Sequence, residues 1–225
     1  MIFFDIDGTL IDHLSASAAA SLRFYDHFPR AIPFDREDFS VAWEKILDKH
    51  FERFCRGEIS LWEQRRARMR EVFAQPELCD SEADERYQVF VREYEQRTSA
   101  YLDAAPCLER LRGSSLGIIS NGAREQQLGK LRRAGLLEFF SVLVFSEDVG
   151  LGKPASRIFL EACRLAGRDP AASIHVGDSL GADVMPSRAL GMRGIFLDRT
   201  GRLPVDPPVI STLAELPGLL VENLA

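Results

Sequence analysis

Two aspartates, Asp5 and Asp7, follow the apolar residues Met1 to Phe4 in the stretch FFDIDGTL. Ionised side chains are almost never fully buried without a partner, so acids there either face a site at a strand end or are buried at great cost. Further polar groups close other apolar runs. Ser120-Asn121-Gly122 ends one, Lys153 enters through GLGKPASRIF, and Asp178 ends another in HVGDSLGAD, with Asp183 a little over one helical turn later. Gathered together, the four carboxylates would repel: two unit charges roughly 4 Å apart oppose each other by about 4 kcal/mol at an effective dielectric near 20. Lys153 alone cannot balance them. A hard divalent cation held by carboxylate and carbonyl oxygens would, and Mg²⁺ in such sites keeps waters and is completed by substrate phosphate. The implied chemistry is metal-dependent handling of an anion.

The elements that must gather these residues are legible as two textures. MIFFDI, LGIIS (116–120), SVLVFS (141–146), SIHVGD (173–178) and GIFLD (194–198) read as buried parallel strands, with helical patterns between the last four. That alternation predicts a doubly wound α/β core with a mainly parallel sheet. Ligands of such sheets sit beyond the carboxyl ends of the strands, which is where the polar residues fall. Pro154 suits the first position of a following helix. A cation at that point opposes the helix dipole and needs an anion nearby.

Between the first and second strands the period changes. Phe39, Trp43, Ile46, His50 and Phe54 recur every three or four residues, Ser60-x-x-Glu63 reads as a capping box, and Tyr87, Phe90, Val91 and Tyr94 continue the pattern. With a helix over about 15–28, this gives some four helices, far more than the dozen residues a βαβ crossover requires. Residues 13–100 are therefore expected to form a helical bundle domain, and residues 1–12 and 101–225 the α/β core. LPVDPPVI (203–210) reads as a proline-rich connection before a short strand or turn and a terminal helix over about 212–224. Pro186 falls where a helix should follow Asp183, and predicts a bend or an early stop.

DIDGT, SNG, GKP and GDSLGAD, in this order and with a helical insertion after the first, resemble the four signature motifs of the haloacid dehalogenase superfamily, in its phosphatase form with a cap inserted after the first motif. The resemblance implies an aspartyl-phosphate mechanism on a small phosphorylated metabolite. Asp5 would be the nucleophile, and Asp7 would protonate the leaving oxygen and then activate water. Ser120 and Lys153 would hold the phosphoryl oxygens, with Gly8, Thr9 and Asn121 beside them. Asp5, Asp178 and the backbone carbonyl of Asp7 would coordinate Mg²⁺, and Asp183 would orient Lys153 or a metal-bound water. Members that displace halide generally lack an acid at the position of Asp7, so its presence favours C–O–P substrates. Phosphomutase, phosphonatase and dehalogenase activities belong to the same superfamily. A phosphonatase would need a cap lysine for a Schiff base, and the only two, Lys45 and Lys49, lie in no recognisable motif. From another class, a receiver-like signalling domain also combines clustered acids, a hydroxyl, a lysine and Mg²⁺, but lacks the long cap.

Composition narrows the partners. A net charge of −6 argues against non-specific nucleic-acid binding, and no apolar run approaches the roughly 20 residues of a membrane span, so a cytoplasmic enzyme is expected. The four cysteines show no CxxC spacing and the four histidines no HxxxH pair, which suits reduced, packed thiols better than bridges or a zinc site. Blander readings apply elsewhere. His175 is expected to pack in a core strand, Arg65, Arg66, Arg68 and Arg70 to form a solvated helix face, Trp43 and Trp62 to pack the bundle, and Asp12 to be a plain loop carboxylate.

Overall fold

The computed structural model describes residues 1–201 and 208–221. The chain divides into two compact units, Met1–Asp12 with Ala100–Ala225, and His13–Ser99. The second unit is four helices: α1 (His13–His27), α2 (Arg36–Cys55), α3 (Leu61–Val72) and α4 (Asp80–Glu95). Residues at helical spacing supply its core, among them Ala16, Ala20 and Phe24 from α1, Phe39, Trp43 and Ile46 from α2, Met69 and Val72 from α3, and Tyr87, Phe90 and Tyr94 from α4. Trp43 and Phe90 lie with ring centroids 4.1 Å apart. The capping box forms: Glu63 N–H donates to Ser60 Oγ at 3.2 Å, and Ser60 N–H to Glu63 Oε2 at 2.7 Å.

The arginines of α3 correct the expectation of a solvated face. Arg66 pairs with Asp80 and Asp84, and Arg70 with Asp80. Arg65 and Arg68 are buried, with the Arg68 guanidinium 4.9 Å from the Trp43 ring and 5.3 Å from Tyr87. A planar guanidinium that stacks on aromatic faces can enter a bundle where an ammonium could not. Trp43 is in the core as expected. Trp62 is half exposed, under the Arg65 guanidinium rather than inside the bundle.

The first unit is a six-stranded parallel sheet of β1 (Ile2–Phe4), β2 (Leu116–Ser120), β3 (Val142–Phe145), β4 (Ile174–Gly177), β5 (Arg193–Leu197) and β6 (Val209–Ile210), in the order β3-β2-β1-β4-β5-β6. Helices α5 (Ala104–Arg110), α6 (Arg124–Arg133), α7 (Ser146–Val149), α8 (Ser156–Ala166), α9 (Met185–Ala189) and α10 (Leu216–Val221) complete it. Successive strand residues point to opposite faces. Phe4, Ile118 and Val176 meet Leu108, Leu128 and Leu131 on one side, while Phe3, Ile119 and Val144 meet Ile158, Phe159 and Ala162 on the other. The sheet is thus covered on both faces, which is why its strands read as unbroken apolar runs. The order 3-2-1-4-5-6 differs from the 2-1-3-4-5 order of receiver-type domains, and its switch point falls between β1 and β4.

One local expectation changes and two gain detail. Pro154 does not start a helix: the Lys153–Pro154 peptide is cis, and α8 begins at Ser156. After Asp178 the chain takes a wide π-type turn over Leu180–Val184, and Pro186 then sits in the first turn of α9, where its missing N–H is harmless. The proline-rich connection ends in strand β6, while its residues 203–207, and residues 222–224 of the expected last helix, lie outside the described residues. No helix among the described residues is long and apolar enough to cross a membrane.

Candidate active site

The carboxyl ends of β1 and β4 flank the switch point, and each ends in an acid. Phe4 pairs with Val176, and the Asp5 N–H donates to the Val176 carbonyl at 2.9 Å, so Asp5 leaves β1 beside Asp178 leaving β4. Carboxylate oxygens of Asp5, Asp178 and Asp183 lie within 4.8 Å of one another. Between Asp5 and Asp183 stands the buried Lys153, whose Nζ donates to an oxygen of each at 2.6 Å. Asp183 also accepts from His175 Nε2 at 2.9 Å and from the Ser179 N–H at 3.1 Å. His175 is packed as expected, but it is also a donor to this cluster, so the neutral ring carries its proton on Nε2. Burial pushes its pKa down.

Electrostatically the cluster is short of positive charge. Burial pushes the Asp5 carboxyl up to about 8; the Lys153 ammonium opposes the rise, while Asp183 and Asp178 add to it. Asp178 is raised to about 7, by burial first and then by the charge of Asp183. Asp183 moves the other way, to about 2: burial raises it, but Lys153 and the His175 hydrogen bond outweigh that. Burial disfavours the charge on Lys153, yet the two aspartates hold its pKa above the ordinary lysine value. Lysine therefore neutralises Asp183, and Asp5 and Asp178 are left as two oxygen donors crowding each other. Such a donor set fits a hard cation such as Mg²⁺. The Asp183 oxygens are already taken by Lys153, His175 and Ser179, so it fits the positioning of Lys153 better than direct ligation.

The loop after β1 turns under this cluster. Gly8 has φ +83°, and a Cβ there would lie 2.0 Å from Asp178 Oδ2. Gly8→Ala is expected to displace Asp178 and to destabilise the fold by about 1–3 kcal/mol, readable by thermal denaturation. The Gly8 N–H donates to the Ile11 carbonyl at 2.9 Å, and the Gly8 and Thr9 carbonyls accept from Arg199 at 3.3 and 2.8 Å. Thr9 Oγ1 is buried without a protein partner.

The end of β2 supplies the opposite wall. Ser120 is buried, and the Asn121 side chain is committed to the backbone of Lys153, accepting from its N–H at 2.7 Å and donating to its carbonyl at 3.0 Å. Asn121 thus fixes the loop that carries the lysine. Asp7 has a lysine of its own: its carboxylate accepts from the buried Lys130 Nζ at 2.6 and 2.7 Å and from Gln127 Nε2 at 2.9 Å. Gln127 Nε2 also donates to the Asn121 carbonyl at 2.6 Å and to Ser120 Oγ at 3.3 Å. Gly122, at φ +125°, makes room for it, since a Cβ there would come within 3.0 Å of that amide. Sequence reasoning missed Gln127, Lys130 and the hydrogen-bonding role of His175. The available signal was spacing: Gln127 and Lys130 are three apart, interleaved with the core residues Leu128 and Leu131.

Of the expected site residues, Asp5, Asp178, Asp183 and Lys153 form one cluster, Asp7 and Ser120 are joined through Gln127, and Gly8 packs against Asp178. Asp12 is approached by the Tyr101 hydroxyl at 3.5 Å.

Known proteins share this arrangement of chain. A glyceraldehyde 3-phosphate phosphatase of Methanopyrus kandleri is 37% identical over 116 residues, 48% of this chain and 50% of that protein, so the chain spans about half the length of that curated relative. The pyrimidine 5'-nucleotidase YjjG of Escherichia coli is 28% identical over 228 residues, covering 99% of this chain and 98% of its own. Among solved structures, a 2-haloacid dehalogenase from Pseudomonas syringae pv. tomato is 29% identical with a TM-score of 0.73, over 98% of this chain and 97% of that one. A family model described as haloacid dehalogenase-like hydrolase matches residues 1–191, and with the acids of β1 and β4 around a buried lysine, the chain belongs to that hydrolase family.

Proposed function

We infer that the protein is a Mg²⁺-dependent phosphatase of small phosphomonoesters working through an aspartyl-phosphate. The observation that carries the reading is Asp7, a second carboxylate two residues beyond the nucleophile position and held by its own donors, which a halide-displacing enzyme has no use for. Asp5 and Asp178, with the Asp7 backbone carbonyl, would hold Mg²⁺, whose charge would stabilise the phosphoryl oxygens.

In the first step an Asp5 oxygen attacks phosphorus, the bond from phosphorus to the ester oxygen breaks, and Asp7, which accepts from Lys130 as a carboxylate and must first take up a proton from solvent, gives that proton to the ester oxygen, so an alcohol leaves. In the second, water attacks phosphorus, passes its proton to Asp7, and the bond from phosphorus to Asp5 breaks, returning both acids and releasing phosphate. Lys153 and Ser120 hold phosphoryl oxygens in both steps. The Asn121 side chain is occupied by the Lys153 loop, so Asn121 serves the phosphate by fixing that loop. Gly8 and Thr9 let the chain turn beside it. Residues 13–99 are read as the cap that selects the leaving group.

A panel of metabolite phosphomonoesters, assayed for phosphate release with and without Mg²⁺, tests this. Release should fall by about 10²-fold or more after chelation and return on adding Mg²⁺. A chain that releases halide from 2-chloropropionate and no phosphate from the panel would be a dehalogenase, the reading favoured by the Pseudomonas likeness. A long-lived phosphoprotein without turnover would point to signalling.

A further inference from the structure

The ammonium of Lys130 is buried on α6, far along the chain from every signature motif residue it touches. Burying an ammonium costs several kcal/mol unless it is paired with good geometry. Lys130 meets that condition by donating to both oxygens of one carboxylate, that of Asp7. Gln127, one turn earlier on the same face, adds a bond to Asp7 Oδ2 and ties it to Ser120 Oγ and the Asn121 carbonyl. Its amide cannot be reversed without setting its oxygen against the Asp7 and Asn121 oxygens. Three donated bonds thus fix both the plane and the direction of a side chain that is itself a quarter exposed. A single backbone turn could not do this, since the carboxylate would be free to rotate about χ1 and χ2.

We propose that Lys130, with Gln127, is the positioning residue of the acid–base carboxylate: it aims Asp7 over Ser120, where the ester oxygen leaves and the water arrives. This rests on the phosphatase reading, and the consequence for chemistry is selective. The two Nζ bonds described for Lys130 both go to Asp7, whereas the nucleophile position is served by Lys153. Loss of Lys130 therefore spares attack by Asp5 and impairs the two proton transfers. How much a phosphomonoester depends on the first transfer is set by its leaving group: an alkoxide needs the proton, whereas p-nitrophenolate leaves without it.

The test compares Lys130→Met and Lys130→Arg with wild type on p-nitrophenyl phosphate and on the best alkyl phosphomonoester of the panel, in Mg²⁺. In Lys130→Met, kcat/KM for the alkyl ester should fall by about 10²-fold while that for the aryl ester changes by less than about threefold. Steady-state turnover of the aryl ester should slow behind a burst of p-nitrophenolate equal to the enzyme, because the second step still needs Asp7 to take a proton from water. Lys130→Arg should restore most of the alkyl activity. If Lys130→Met does not fold, Gln127→Met gives the same comparison with a smaller expected split. Equal losses of kcat/KM on both esters, or no loss on either, would overturn the positioning role while leaving the phosphatase reading intact. A wild-type enzyme inactive on both esters would overturn both.

Discussion

Asp5→Asn is expected to lower multiple turnover by at least about 10⁴-fold, because on the phosphatase reading it replaces the carboxylate that attacks phosphorus while changing little else in the core. Asparagine has nearly the same shape, can still accept from Lys153, and relieves the crowding that pushes the Asp5 carboxyl up to about 8. Thermal stability should therefore hold or rise while activity disappears. Steady-state phosphate release and denaturation of the same preparation check this together. Retained turnover in Asp5→Asn would exclude an aspartyl-phosphate at this position.

Lys153→Met should have the largest effect on folding. The ammonium bridges Asp5 and Asp183 at 2.6 Å each, and all three are buried. Removing one partner of such a set leaves uncompensated charge in the interior, a loss of about 3–5 kcal/mol, readable as a lower urea midpoint without Mg²⁺. Adding Asp183→Asn should recover part of it, since the double variant buries no unpaired carboxylate at that position. Full additivity of the two single losses would mean that the bridge contributes nothing. The sign of the acid response is also fixed. Asp183 is held near 2, below its ordinary value of 3.8, so its contribution is complete above the ordinary value and is lost as pH falls toward 2. Wild type should accordingly lose stability more steeply than Asp183→Asn across that interval.

The sheet strands were legible because a parallel sheet covered on both faces needs apolar side chains on both, leaving runs such as LGIIS that few helices would carry. Asp5 and Asp178 were legible because each stands where such a run stops. Lys130 and Gln127 were not: a lysine and a glutamine on an amphipathic helix look like any solvated pair until the third dimension shows which turn faces Asp7. Arg68 failed for the opposite reason. Its type suggests solvent, and only the aromatic rings of other helices, distant in sequence, explain its burial. His175 was read as packed, and its hydrogen bond could not be seen, because Asp183 reaches it through a π-type turn that does not follow helical spacing. Strand order, which separates this sheet from the receiver type, is a property of crossovers and leaves no local trace.

The points where the chain leaves and re-enters the sheet unit are neighbours. Ile11 bridges Ala100 in antiparallel fashion, and the Tyr101 N–H donates to the Leu10 carbonyl at 3.0 Å. A segment closed at such a neck resembles the loop of a very large hairpin, and loop closure entropy grows only with the logarithm of length. The sheet unit is therefore nearly indifferent to what is hung between residues 12 and 100. An insert of another length could be exchanged at this neck with little cost to the host, so the sheet unit can keep its fold while the segment between residues 12 and 100 varies.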